Sequence, residues 1–208
     1  MNAGLFSVYD GVLGATRLPS VSRAGRRIAV ADVATLVLAG AAAASAAGFL
    51  RLGLRIPGSS ILLAMVPMAL GFSLVPRRFA GVIMSGSALV TAGAFASADL
   101  AGYGVGALTS LCLTGPSMDV AMRGAGPGWT LYLRLVGAGL ATNLLAFLQR
   151  GASKVLALDK PGTRLFDEWL SQAAVTYTLS GAVAGLIAAI CWFQFTARKA
   201  GTDPGADA

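Results

Sequence analysis

The sequence predicts an all-α integral membrane protein: six transmembrane helices in one bundle, with a short interfacial amphipathic helix between the fifth and the sixth. Three observations predict it. Apolar residues fill 56% of the 208 positions and charged residues 12%, with a mean hydropathy of +0.72, which leaves too little polar surface to clothe a soluble domain. The apolar residues gather into six runs, several near the ~20 residues that a spanning helix needs. Most of the cations stand at the ends of those runs, where they orient helices and meet anionic headgroups.

Residues 1–28 are polar enough to stay out of the bilayer and are read as a cytoplasmic tail, with Arg17, Arg23, Arg26 and Arg27 crowded before the first run, Ala29 to Leu50. Arg26-Arg27 followed by an apolar stretch and Ala44-Ser45-Ala46 also fits a twin-arginine secretion signal; the further spans favour an uncleaved first helix. The second run is Ser59 to Val75, ended by Pro76-Arg77-Arg78, and the third is Phe79 to Ser97. The fourth, Ala101 to Met122, carries Gly115-Pro116, where the missing backbone donor predicts a kink. A turn over 124–128 leads to the fifth run, Trp129 to Leu148, and the sixth is Ala173 to Phe195. Residues 29–195 thus form one transmembrane domain, and 196–208, ending GTDPGADA, are expected to be a disordered cytoplasmic tail.

The longest connection, 149–172, is broken by Pro161-Gly162. Beyond it Thr163 is a capping residue for a short helix in which Leu165, Phe166, Trp169 and Leu170 recur at helical spacing, opposite Arg164, Asp167 and Glu168. This is the interfacial helix.

Charge sets the orientation. With a cytoplasmic N-terminus the inner side holds ten cations: the four of the tail, Arg77, Arg78, Arg123, Arg134, Arg198 and Lys199. The outer side holds six: Arg51, Arg55, Arg150, Lys154, Lys160 and Arg164. The positive-inside rule therefore favours both termini in the cytoplasm. The net charge of +7 is absorbed by this pattern, and no basic groove with interleaved aromatics points to nucleic acid.

Histidine is absent, which removes the commonest general base and the commonest metal ligand, and with them Ser-His hydrolysis and a His-based metal site. Cys112 and Cys191 lie far apart inside apolar runs, without metal-site spacing. No phosphate-binding glycine loop with its lysine is present, so ATP-driven work requires another polypeptide. Neither a cofactor nor a catalytic step is expected.

Four groups of residues remain as candidates. On the first helix Thr35, Ala39 and Ala43 form one row of small residues, and Gly40, Ala44 and Gly48 another, which admit close approach of a helix from the same bundle or from a partner. On the fourth, Thr109 and Thr114 precede the break at Pro116, as hydroxyls that either repair the backbone locally or line a gate. Asp119 and Arg134, of opposite sign across a short turn, are expected to pair, with Arg123 as a second partner for Asp119. At the outer side stand Arg51, Arg55 and Ser59 around Ile56-Pro57-Gly58, with Tyr103, Asn143, Gln149, Trp169 and Tyr177.

In length, in six spans with both ends inside, in the small rows of its first helix, in the Arg55-Ile56-Pro57-Gly58 turn and in the Gly106 to Asp119 stretch, the chain resembles the substrate-capture components of energy-coupling factor transporters. The resemblance implies a multi-pass subunit of a bacterial inner membrane that captures a small organic solute of the vitamin or micronutrient type. It implies docking through Thr35, Ala39 and Ala43 on a coupling membrane subunit served by ATPases. Arg51, Arg55, Ser59, Tyr103, Asn143, Trp169 and Tyr177 are the implied solute contacts. Members that take up metals use an N-terminal histidine, which this chain lacks. The rival reading is a structural or accessory subunit of a larger membrane complex, with its small faces used for packing alone.

Overall fold

A backbone without water to bond must satisfy its own amides, and in one segment only a helix does so. The computed structural model describes residues 30–50, 60–123, 129–156 and 166–201. They form α1 (Val30–Phe49), α2 (Ser60–Leu74), α3 (Ala80–Ser97), α4 (Val105–Met122), α5 (Trp129–Val155) and α6 (Phe166–Gly201). In α1, α3, α5 and the Trp169–Trp192 part of α6, the helix is long and apolar enough to cross a membrane.

The distribution of side chains is that of an all-α membrane protein. Large apolar residues face outward, among them Val30, Leu38 and Val90, while Ala43, Ala64, Ala88 and Ala188 have no exposed surface. Lipid tails solvate valine and leucine as well as a protein interior does, so close backbone packing is left to small residues.

Neighbours run in a closed ring, α1, α3, α4, α5, α6, α2 and back to α1, and α2 also reaches α4 across the middle. With 15 residues, α2 is only about 22 Å long, short of the ~30 Å hydrocarbon core. It touches every other helix, so its flanks meet protein more than lipid. Pro67 lies inside it, and Gly71 packs on Met84 and Ala39.

Side-chain contacts define two ends. At the first, Asp32 at the start of α1 pairs with Arg77 of the α2–α3 connection at 2.8 Å, and the Arg123 guanidinium lies 5.6 Å from the centre of the Phe79 ring. At the second, the Tyr103 hydroxyl donates to the Ala44 carbonyl at 2.9 Å near the end of α1, and a Cβ at Gly106 would approach the Tyr177 hydroxyl at 3.4 Å. We call these the Asp119 end and the Tyr177 end.

Two elements differ from expectation. The fifth helix runs past Leu148 to Val155, because Arg150 and Lys154 are good helix formers and need no apolar run to continue. Among the described residues no separate interfacial helix stands between α5 and α6: Phe166, Trp169 and Leu170 belong to the first turns of α6, which is unbroken from Phe166 to Gly201, and Thr163, Arg164 and Leu165 lie outside the described residues. Within this segment Trp169 finds cover on α5, where its ring stacks on Phe147 at 5.5 Å, while Leu170 is exposed.

Candidate functional site

Two helix crossings set the positions of the polar residues. Between α3 and α4, a methyl group on Gly81 would lie 2.0 Å from the Gly115 carbonyl oxygen, and one on Gly115 would lie 2.0 Å from that of Gly81. Backbones this close admit only glycine at both positions. The Gly115 amide donates to Ser85 Oγ at 3.0 Å. Between α5 and α6, Gly139 meets the Gly181 carbonyl, and Gly185 meets that of Leu135, with added methyls at 2.3 and 2.4 Å.

Asp119 and Arg134 do not form the expected pair. Asp119 reaches the start of α3, where the Val82 amide donates to its Oδ2 at 2.9 Å and the amides of Phe79 and Gly81 also face it. That helix begins on Phe79, a left-handed residue (φ 64°) with no capping side chain of its own, so its free amides and dipole offer the better partner for a carboxylate. Arg134 Nη1 donates to the Arg123 carbonyl at 2.7 Å, at the C-cap of α4, where the dipole favours a cation. Each charge thus caps a helix other than its own.

The hydroxyls of α4 bond mainly along their own helix. Thr109 donates to Val105, Ser110 to Gly106, Thr114 to Ser110 and Ser117 to Thr114, at 2.6 to 3.0 Å. The helix continues through Pro116, the pattern of local repair. Across the interface Ser117 and Thr142 share a hydrogen bond at 2.8 Å, and Thr109 bonds Gln149.

At the Tyr177 end, three of the candidate solute contacts come together. Asn143, fully buried, donates through Nδ2 to the Tyr177 carbonyl at 2.6 Å. Phe147 lies between the two aromatics, stacked on Trp169 and tilted against Tyr177 with ring centres 5.6 Å apart. Lys154 stands 5.6 Å from the centre of the Trp169 ring. The α4–α5–α6 corner therefore carries an amide, a phenol and an indole in one cluster, edged by Arg150, whose charge is felt at Tyr177. Tyr103 is set apart at α1, packed into the space above Gly48. Burial holds its hydroxyl above the ordinary phenol range, so it stays protonated and keeps its bond to Ala44. Arg51, Arg55 and Ser59 lie outside the described residues.

The docking row turns inward. Ala43 is fully enclosed and Ala39 packs against Gly71, so both serve contacts within the chain, while Thr35 is half-exposed and bonded to its own Ala31 carbonyl. The row beside it is spent on the same bundle, since Gly40 sits on the Met84 backbone.

Sequence reasoning missed the capping role of Asp119, the Arg134 contact and the Phe147 spacer. One signal was available for the first: Pro76-Arg77-Arg78-Phe79 offers no capping side chain, so the amides of α3 had to find an acceptor elsewhere. The Gly181–Gly185 spacing was a second signal, a small-xxx-small pair in an apolar helix. No family model, curated protein or solved structure matches the chain.

Proposed function

We propose that the chain is the solute-binding membrane subunit of an uptake transporter of the energy-coupling factor type, with six spans and both termini in the cytoplasm. The observation that carries this reading is the convergence of Asn143, Trp169 and Tyr177 at one end of α5 and α6. A buried amide offers directed hydrogen bonds and the rings offer flat apolar contact, the combination suited to a small organic solute. Uptake is driven by a coupling subunit and ATPases, and no covalent step falls to this chain. With Ala43 enclosed and Ala39 half-buried against Gly71, the face of α1 left for a coupling subunit is the one carrying Val33, Val37 and Leu38.

Support for six spans comes from packing: α2, though short, and α4, though rich in hydroxyls, are both held between longer apolar helices. In a background lacking Cys112 and Cys191, the orientation predicts that Gly4→Cys and Gly205→Cys label from the cytoplasm and Lys160→Cys from outside. Cytoplasmic labelling at 160 would overturn it.

A second reading, an accessory subunit of a larger complex, is favoured by the inward turn of the small row. Gentle purification followed by identification of bound proteins and small molecules separates the two. The transport reading expects ABC-type ATPases with a coupling subunit, and a solute whose retention falls on Asn143→Leu. A stable complex with other membrane subunits and no retained solute would sink it.

A further inference from the structure

Between α4 and α5, toward the Asp119 end, runs a groove of about 540 Å³ lined by Ser117, Ala121, Arg134, Gly137 and Ala141 among others. Its floor is closed by Ala121 and Ala138, each 7% exposed. Its mouth is open, since a methyl group on Gly137 would meet no atom within 4 Å. Arg134, Gly137, Ala138 and Ala141 follow at i, i+3, i+4 and i+7, so an arginine and a strip of small residues share one side of α5 along about 10 Å.

The groove is apolar along its length and cationic at one end. Arg134 carries five N–H donors, and the bond from Nη1 to the Arg123 carbonyl fixes the fork beside the groove while leaving further donors. The carboxylate closest in sequence, Asp119, is turned to the start of α3. The Arg123 guanidinium is turned to the same side as Asp119, over the Phe79 ring, so the charge at the groove is that of Arg134. Trp129 and Tyr132, with ring centres 5.6 Å apart, stand in the first turn of α5 as aromatics of the kind found at headgroup depth.

We infer that this groove binds an anionic phospholipid, with one acyl chain along Gly137 and Ala141 and the headgroup phosphate on Arg134. A guanidinium fork matches a phosphate in geometry as well as in charge. Small side chains leave a channel that an acyl chain fills, restoring the dispersion contacts an empty groove would forgo. The site is separate from the solute contacts of the Tyr177 end and does not depend on them.

The test is native mass spectrometry of the full chain released from bilayers of equal phosphatidylglycerol and phosphatidylcholine. The unaltered chain should retain phosphatidylglycerol in preference. Arg134→Gln should lower that preference about fivefold, the worth of one cation at a membrane surface, without reducing retained phosphatidylcholine. Ala141→Leu, at an exposed position with Arg134 intact, should displace both lipids by filling the chain seat. An unchanged preference in a folded Arg134→Gln, or unchanged retention of both lipids in Ala141→Leu, overturns the proposal. So does a second polypeptide occupying the groove in place of lipid. Should Arg134→Gln not fold, the Ala141→Leu result decides alone.

Discussion

The α3–α4 and α5–α6 crossings are both made by glycine, yet they are fastened differently. At α5–α6, Gly139, Gly181 and Gly185 bring backbones together, and the polar link beside them runs from Asn143 to the Tyr177 carbonyl. At α3–α4 the approach is closer, 2.0 Å for an added methyl at either glycine, and it is bracketed by Ser85 on the Gly115 amide and Asp119 on the Val82 amide. The difference teaches that close packing and polar satisfaction are coupled in the first crossing. Ser85 and Asp119 reach backbone amides of the other helix only because the glycines let the helices touch.

The largest effect should follow from breaking the closer contact. Gly115→Leu is expected to destabilise the protein in detergent by more than the about 1 to 3 kcal/mol typical of overpacking, since parting the helices also strips the first-turn Val82 amide of its acceptor and breaks the Gly115–Ser85 bond. Gly181→Ala, whose methyl would first meet the Gly139 oxygen at 2.8 Å, should cost visibly less. Thermal melts of the two variants check this, and equal losses would dissolve the contrast.

Next in size is the carboxylate cap. Asp119→Leu should cost about 1 to 3 kcal/mol through stranded amides, and Asp119→Asn less, because an amide oxygen still accepts from Val82. The cap also sharpens the question of pairing. Arg134→Gln combined with Asp119→Asn should give additive losses within about 0.5 kcal/mol, as expected for residues with separate partners. Recovery in the double variant would restore the ion pair instead.

A smaller effect is expected from Ser85→Ala, about 1 kcal/mol for one buried hydrogen bond. Ala39→Leu belongs to the same scale of packing test: against Gly71 the added bulk should lower the melting temperature of the isolated chain by overpacking about 1 to 3 kcal/mol. An unchanged melt would return Ala39 to the outer, partner-facing surface.

Most of the helix order was legible because hydropathy decides where a chain lies in a bilayer. The expected run Ser59 to Val75 is longer than α2 by one residue at each end, and Phe79 to Ser97 is longer than α3 by one residue at its start. The extensions of α5 to Val155 and α6 back to Phe166 were not legible, since helix formation outlasts apolarity and Trp169 chose the cover of Phe147 over the membrane surface. Within the site, Asn143, Trp169 and Tyr177 were each visible as unusual residues at one level of the bundle. The partner of Asp119 was not, because opposite side-chain charges are visible in a sequence and free backbone amides are not.

The Asp119 cap carries a consequence for biosynthesis. Val82 and its acceptor are separated by 37 residues, so a ribosome delivers the start of α3 well before the carboxylate that satisfies it. Until α4 has been threaded, the amides around Val82 have only water or headgroups to bond, which holds that end of α3 at the membrane surface. Arrival of Asp119 then locks the hairpin, making α3 and α4 a pair that matures together during translation.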